Sequence, residues 1–307
     1  MALLLLSGCA SQLQATRLMD SPPPGLTSAV ELRQVPFFPQ ERFQCGPAAL
    51  ATLLNWSGAS ITPEQLVDEV YLPQRHGSLQ VELAAAARRH QRLPYIVEPD
   101  LRAVMEEVRD GHPVLVLLNL GLSWYPVWHY AVVVGFDLTR DNIVLRSGTE
   151  RRDVLSLELF ERTWRRGQRW AMVVTAPGEL PATAQQLPYL RTVLAFEEHG
   201  DWRTAGQAYA AAWRRWPDSS GAGMGVGNSA YAGGDYTAAA AAFRRVLERH
   251  PDFAPAMNNL AQTLVKLGDP AAGERYARAA VAAGGAQHPV YVETLREIRD
   301  HMGQSAR

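Results

Sequence analysis

Apolar residues recur with two different periods along this chain of 307 residues, and the change of period divides it. In the middle, short continuous apolar runs dominate. Pro113-Val114-Leu115-Val116-Leu117-Leu118 and Trp128-His129-Tyr130-Ala131-Val132-Val133-Val134-Gly135-Phe136 have strand length and are rich in β-branched residues, which predicts two buried strands. Ile143-Val144-Leu145-Arg146-Ser147 follows a polar turn over 137–142 and reads as the hairpin mate of the second strand. Helical spacing predicts helices over 63–71, 79–90 and 101–110, another near 155–165, and a strand follows over 171–175. A helix also begins at Cys45-Gly46-Pro47-Ala48-Ala49-Leu50, because Pro47 suits a first turn, where its missing N–H leaves no bond unmade. The prolines of Val35-Pro36-Phe37-Phe38-Pro39-Gln40 make the approach to that helix extended. Mixed helices and strands over 35–176 predict an α+β domain.

From residue 187 the pattern is helical throughout, and it repeats. Gly200-Asp201, Gly234-Asp235 and Gly268-Asp269 stand 34 residues apart. Ala205, Ala239 and Gly273 keep the same phase, as do Tyr209, Phe243 and Ala277, while Pro217 and Pro251 close the first two units. An ordinary alanine-rich bundle would not repeat four features in one phase. This pattern resembles the tetratricopeptide repeat, which implies helix pairs turned at Gly-Asp and closed by proline. The implied fold is an all-α solenoid over 187–302, with three units over 187–284 and a capping helix over 288–302. Stacked repeats of this kind imply a contact surface for a protein partner or for the preceding domain. No catalytic residue type is organised within them.

Composition narrows the function less than the pattern does. Hydrophobic residues make up 47% and charged residues 20%, so the chain can bury a core. Its 30 basic and 31 acidic residues leave a net charge of −1, which gives no electrostatic ground for nucleic acid. All the basic residues but Lys266 are arginine, a skew we ascribe to base composition. Two cysteines exclude a disulfide framework. Met1-Ala2-Leu3-Leu4-Leu5-Leu6-Ser7-Gly8-Cys9 resembles a bacterial lipoprotein signal, and implies cleavage before Cys9 and lipidation of its thiol. Residues 1–9 would be the signal with its lipobox. Eight residues precede Cys9 and none is basic, so either the true start lies upstream or the run is a chance apolar N-terminus. Residues 10–34, with Pro22-Pro23-Pro24-Gly25, show no period and read as a tether. Ala10 and Ser11 differ from the Asp associated with inner-membrane retention, so the implied home is the outer membrane, facing the periplasm.

One constellation carries chemistry. Cys45 opens a helix, where the macrodipole favours thiolate over thiol. A cysteine nucleophile further needs an imidazole to take its proton and return it to the leaving amine. Gln40, then Gln44-Cys45-Gly46-Pro47-Ala48-Ala49-Leu50, then the strand from His129 to Asp137 resemble the papain-like cysteine peptidases that process bacteriocin double-glycine leaders. The resemblance implies Cys45 as nucleophile, His129 as base and Gln40 as oxyanion donor, with Gln44 as the alternative donor. The family's orienting Asp falls where this chain has Leu145-Arg146-Ser147-Gly148, so Ser147 occupies that place. Asp137 and Asp141 lie farther along the hairpin, and one residue of register slip would reverse the face on which Ser147 stands. Bland readings stand beside these: a core cysteine, a core histidine and a surface glutamine. Trp124, Tyr125 and Trp128 are either the wall of a cleft or ordinary packing. The remaining histidines show no metal-ligand spacing, and no cofactor or metal is expected.

The expected protein is a lipid-anchored cell-envelope cysteine peptidase acting on a peptide or protein, with repeats that bind a partner or substrate. A murein peptidase of NlpC type shares the Cys-then-His order but lacks the Cys-Gly-Pro start with an upstream Gln. A non-catalytic scaffold that keeps the fold is the reading that Ser147 favours.

Overall fold

The apolar runs of the central third become the inner strands of one antiparallel sheet. The computed structural model describes residues 13–40 and 44–305. In chain order the first unit contains α1 (Gln14–Asp20), β1 (Val30–Glu31), α2 (Cys45–Trp56), α3 (Pro63–Val70), α4 (Gln80–Arg89), β2 (Leu93–Ile96), α5 (Leu101–Arg109), β3 (Val114–Asn119), β4 (Trp128–Asp137), β5 (Asn142–Ser147), β6 (Glu150–Leu155), α6 (Leu157–Arg166) and β7 (Ala171–Thr175). The strand order is β2-β7-β3-β4-β5-β6, and β1 pairs with the far end of β4. Alternation sorts the side chains of β3 and β4. Leu115, Leu117, Tyr130, Val132 and Val134 join the buried residues of α2, α3 and α4 in one core. The opposite face meets α5 and α6. Both faces being covered explains why these strands read as continuous apolar runs rather than alternating ones.

Two features of this unit were not legible as patterns. The first is β6, which occupies the sheet edge with mostly exposed residues and so carries no apolar run. Its presence moves the start of the helix expected near 155–165 to Leu157, where the Ser156 hydroxyl caps it by accepting from the Leu159 N–H. The second corrects the tether expected over 10–34, for the residues that are described. Ala15, Leu18 and Leu26 are buried, and Val30–Glu31 pairs with Phe136 and Gly135 of β4. The Gln14 amide oxygen accepts from the Leu101 N–H at 2.6 Å, and the Ala15 N–H donates to the buried Glu161 carboxylate at 2.8 Å. These elements are too short for a period to show, and their stabilising partners are 85 residues or more away. The expected signal over 1–9, with Cys9, lies outside the described residues. No described helix is long and apolar enough to cross a membrane.

The first unit runs to Ala176 and takes in Pro181–Ala184; the second comprises Pro177–Leu180 and the chain from Gln185 on. The second unit is a run of helices: α7 (Gln186–Glu198), α8 (Trp202–Arg215), α9 (Ser220–Ala232), α10 (Tyr236–Arg249), α11 (Ala254–Lys266), α12 (Pro270–Ala283) and α13 (His288–Ser305). Each Gly-Asp pair does the same work three times. Gly200, Gly234 and Gly268 adopt positive φ of 76°, 80° and 82°, which a side chain would strain. Asp201, Asp235 and Asp269 then cap α8, α10 and α12, each accepting from the N–H three residues on. Ala205, Ala239 and Gly273 sit where neighbouring helices approach, and Tyr209 and Phe243 are buried between them. The capping helix continues three residues past 302, to Ser305.

Candidate active site

Cys45 is the first residue of α2, a helix of 12 residues in which the next nine, Gly46 to Leu54, are all buried. Gly46 is required by a close approach. A Cβ there would lie 2.3 Å from the Ser78 hydroxyl oxygen, so only glycine lets the loop before α4 close over the helix start. That loop is in turn tied to β4, since the Tyr130 hydroxyl donates to the Ser78 carbonyl at 3.2 Å. The result is that the thiol of Cys45 lies against the backbone of β4, one residue beyond His129.

The electrostatics of the thiol oppose the expectation from helix position alone. Burial pushes the Cys45 thiol above its ordinary range, and this outweighs the backbone N–H groups of Tyr130, Gly46 and Cys45 itself, which pull it down. Burial likewise pushes the His129 imidazole below its ordinary range, while the Asp153 carboxylate pulls it back up. Both shifts favour the neutral form of each group in the ligand-free protein.

The structure brings His129 and Ser147 together. His129 Nε2 lies 3.0 Å from the Ser147 hydroxyl oxygen, so the register of β4 against β5 puts both side chains on one face. Asp137 and Asp141 are engaged elsewhere: Asp137 accepts from the Thr139 and Arg140 N–H groups, and Asp141 from the Leu157 N–H. Gln40 reaches the same strand. Its side-chain nitrogen donates to the Tyr130 carbonyl at 3.3 Å, and its backbone N–H donates to the Gly148 carbonyl at 3.0 Å. Gln44, the alternative donor, is the residue before α2 and makes no side-chain cap there. Tyr130 thus offers its N–H toward Cys45 and its carbonyl to Gln40, a bridging role that the sequence motif contained but did not announce.

The residues before His129 form an exposed apolar hairpin between β3 and β4. The Leu120 N–H donates to the Val127 carbonyl at 2.9 Å, and Leu122 and Tyr125 exchange backbone bonds. Buried Asn119 fixes the loop from beneath, its oxygen accepting from the Gly121 and Val127 N–H groups. Leu120, Leu122, Trp124, Tyr125, Val127 and Trp128 are all exposed, Trp124 at 80%. Trp124, Tyr125 and Trp128 thus lie at the surface and not in the core.

Residues 32–172 match the Peptidase_C39 like family, and residues 190–252 and 225–289 match a tetratricopeptide repeat family. The first unit resembles C39-like peptidases, and tetratricopeptide repeats follow it. Among solved structures, one from Bacillus anthracis described as a C39-like peptidase is similar over 48% of this chain and 98% of its own, with 16% identity and a TM-score of 0.41. The TPR2B domain of yeast Sti1 aligns over 38% of this chain and 99% of its own, with 15% identity and a TM-score of 0.36. The Yersinia enterocolitica type III secretion chaperone SycD, solved with a peptide of the translocator YopD, aligns over 37% and 92%, with 15% identity and a TM-score of 0.35. No curated protein matches the sequence.

Proposed function

We propose that the first unit is a cysteine peptidase that hydrolyses peptide bonds through Cys45 and His129. The observation that carries this reading is the bond between His129 Nε2 and the Ser147 hydroxyl, on the strand whose next residue faces the Cys45 thiol. With Nε2 committed to Ser147, Nδ1 is the nitrogen left to act as base. Starting from the neutral pair, Nδ1 takes the thiol proton as sulfur attacks the scissile carbonyl. The oxyanion meets the Cys45 backbone N–H and the second hydrogen of the Gln40 amide, both fixed before substrate arrives. Nδ1 then protonates the leaving amine, and water hydrolyses the thioester. In this reading the exposed hairpin at 120–128 is a wall of the cleft, suited by its apolar side chains to an apolar stretch of polypeptide. The repeats bind a protein or peptide partner, and Cys9 anchors the chain by a lipid at the outer membrane, facing the periplasm.

A second reading, a non-catalytic scaffold, is favoured by one observation: a serine stands where a carboxylate would hold the imidazole. A peptidyl chloromethyl ketone separates the two, with the labelled residue mapped by mass spectrometry. The peptidase reading expects Cys45 to label far faster than in the denatured chain and His129→Asn to remove that advantage. Labelling at the denatured rate, indifferent to His129, supports the scaffold. The anchor is tested separately: Cys9→Ser should move the protein from the membrane fraction to the soluble one, and unchanged association would remove the lipid.

A further inference from the structure

The carboxylate missing from position 147 has a counterpart on the neighbouring strand. Leu145 of β5 pairs with Asp153 of β6, so Asp153 stands on the sheet face of Leu145, and by alternation on that of Ser147 two residues on. The same face holds His129, whose Nε2 touches the Ser147 hydroxyl. Between these positions the β5–β6 ladder shifts register: Ser147 pairs with Glu150, so three residues of β6 span what two residues of β5 span. Such a bulge bends an edge strand and re-aims its side chains. Asp153 is half-buried, whereas Glu150, Arg151 and Arg152 around it are exposed. Of the other charges nearby, Glu150 is the ladder partner of Ser147 itself but is exposed, and two arginines are engaged elsewhere. Arg152 pairs with Glu31, and the buried Arg146 guanidinium donates to the carbonyls of Arg151 and Arg33. Among the described residues none donates a hydrogen bond to Asp153 or forms an ion pair with it.

We propose that Asp153 is the positioning carboxylate of this site, holding His129 from β6 across the Ser147 hydroxyl. The inference rests on the peptidase reading. A charge two strands from His129 acts through space, and the Ser147 hydroxyl on the strand between supplies the contact that fixes the ring. The direction agrees with the titration of His129, which this carboxylate raises against burial. In a peptidase the consequence is that the imidazolium formed during attack is stabilised without any carboxylate on β5. An exposed edge strand with an Asp among arginines gives no sign of this in the sequence, since its only signal is a register that the fold decides.

The test is the titration of His129 in the full chain, followed by side-chain NMR of labelled histidine and assigned by its loss in His129→Asn. Asp153→Asn should lower the His129 midpoint by about half a pH unit, because removing a nearby negative charge disfavours the cationic ring. Asp153→Glu should restore much of the shift, and Glu150→Gln should leave the midpoint unchanged. An unchanged midpoint in Asp153→Asn overturns the proposal, as does an equal fall in Glu150→Gln. Alkylation of Cys45 by iodoacetamide, read in the same samples, reports on the underlying reading. If the wild-type thiol reacts like that of the denatured chain, the peptidase reading fails, while the His129 midpoint still decides whether Asp153 is its partner. With a reactive thiol, Asp153→Asn should also cut the alkylation rate near neutral pH, by about threefold for a shift of that size.

Discussion

The two units of this protein use the same small devices to opposite ends. In the repeats, a glycine, a capping aspartate and a closing proline recur every 34 residues, and each device serves only the helix pair it joins. In the first unit, each device acts across a long stretch of chain. Gly46 makes room for Ser78, Glu161 holds Ala15, and Glu107 holds Ala182 and Thr183. A single repeat device can therefore fail without affecting the others, whereas one failed clasp in the first unit releases a segment. The proposed chemistry needs the second arrangement, because a thiol, an imidazole and an amide drawn from residues 40, 45 and 129 would have to be held by the whole fold.

The largest expected effect tests whether the clasp at Glu107 closes the first unit. This fully buried carboxylate accepts from His112 Nδ1, the Ala182 and Thr183 N–H groups and the Thr183 hydroxyl. A chain ending at Ala184 should unfold as one cooperative unit. One ending at Ala176, or carrying Glu107→Ala, should lose about 3–5 kcal/mol in urea titration, since donors built around a buried carboxylate are left unmet. Equal midpoints for the two truncations would show that Pro181–Ala184 is a passenger.

Next in size is a glycine comparison. Gly46→Ala should cost about 1–3 kcal/mol by overpacking against Ser78 and should also slow labelling of Cys45, because the helix start must shift. Gly234→Ala should cost only about 1 kcal/mol, for it meets open space and strains nothing but its own φ of 80°. Asp235→Ala should cost about as much, by removing the cap on the Ala238 N–H. If the two glycine variants prove equally costly and neither alters labelling, the contrast between local and long-range devices is wrong.

The smallest effect concerns pH, and its sign follows from the site. The folded His129 titrates below its ordinary value of 6.5, so between the two values the unfolded chain binds more protons. Stability from this group is complete above about pH 6.5 and is lost as pH falls through that window. Cys45 is the mirror case: its folded value lies above 9.0, so its contribution is complete below that pH and is lost as pH rises beyond it. Thermal melts should show His129→Asn flattening the acid limb and Cys45→Ala the alkaline limb, each by less than the glycine substitutions cost. A limb left unchanged by its variant would mean that the group is less buried than its position implies.

Much of this was legible in the residues themselves, for a physical reason. Helix capping, the αL turn and the 34-residue phase are local, so the repeats could be read from spacing alone. The helix start at Cys45 and the His129 strand were legible too, because proline at a first turn and β-branched runs impose local conformation whatever surrounds them. The sequence could not settle anything that depends on what a residue is packed against. The described part of 10–34 read as a tether because its partners are distant, and β6 gave no signal because an edge strand of mostly exposed residues carries no apolar run. The helix dipole argued for a thiolate at Cys45, whereas burial, a property of the assembled core, pushes the thiol the other way. Which side chain faces His129 was likewise undecided among Ser147, Asp137 and Asp141 until the strands were paired, because a one-residue shift in register turns a side chain to the other face.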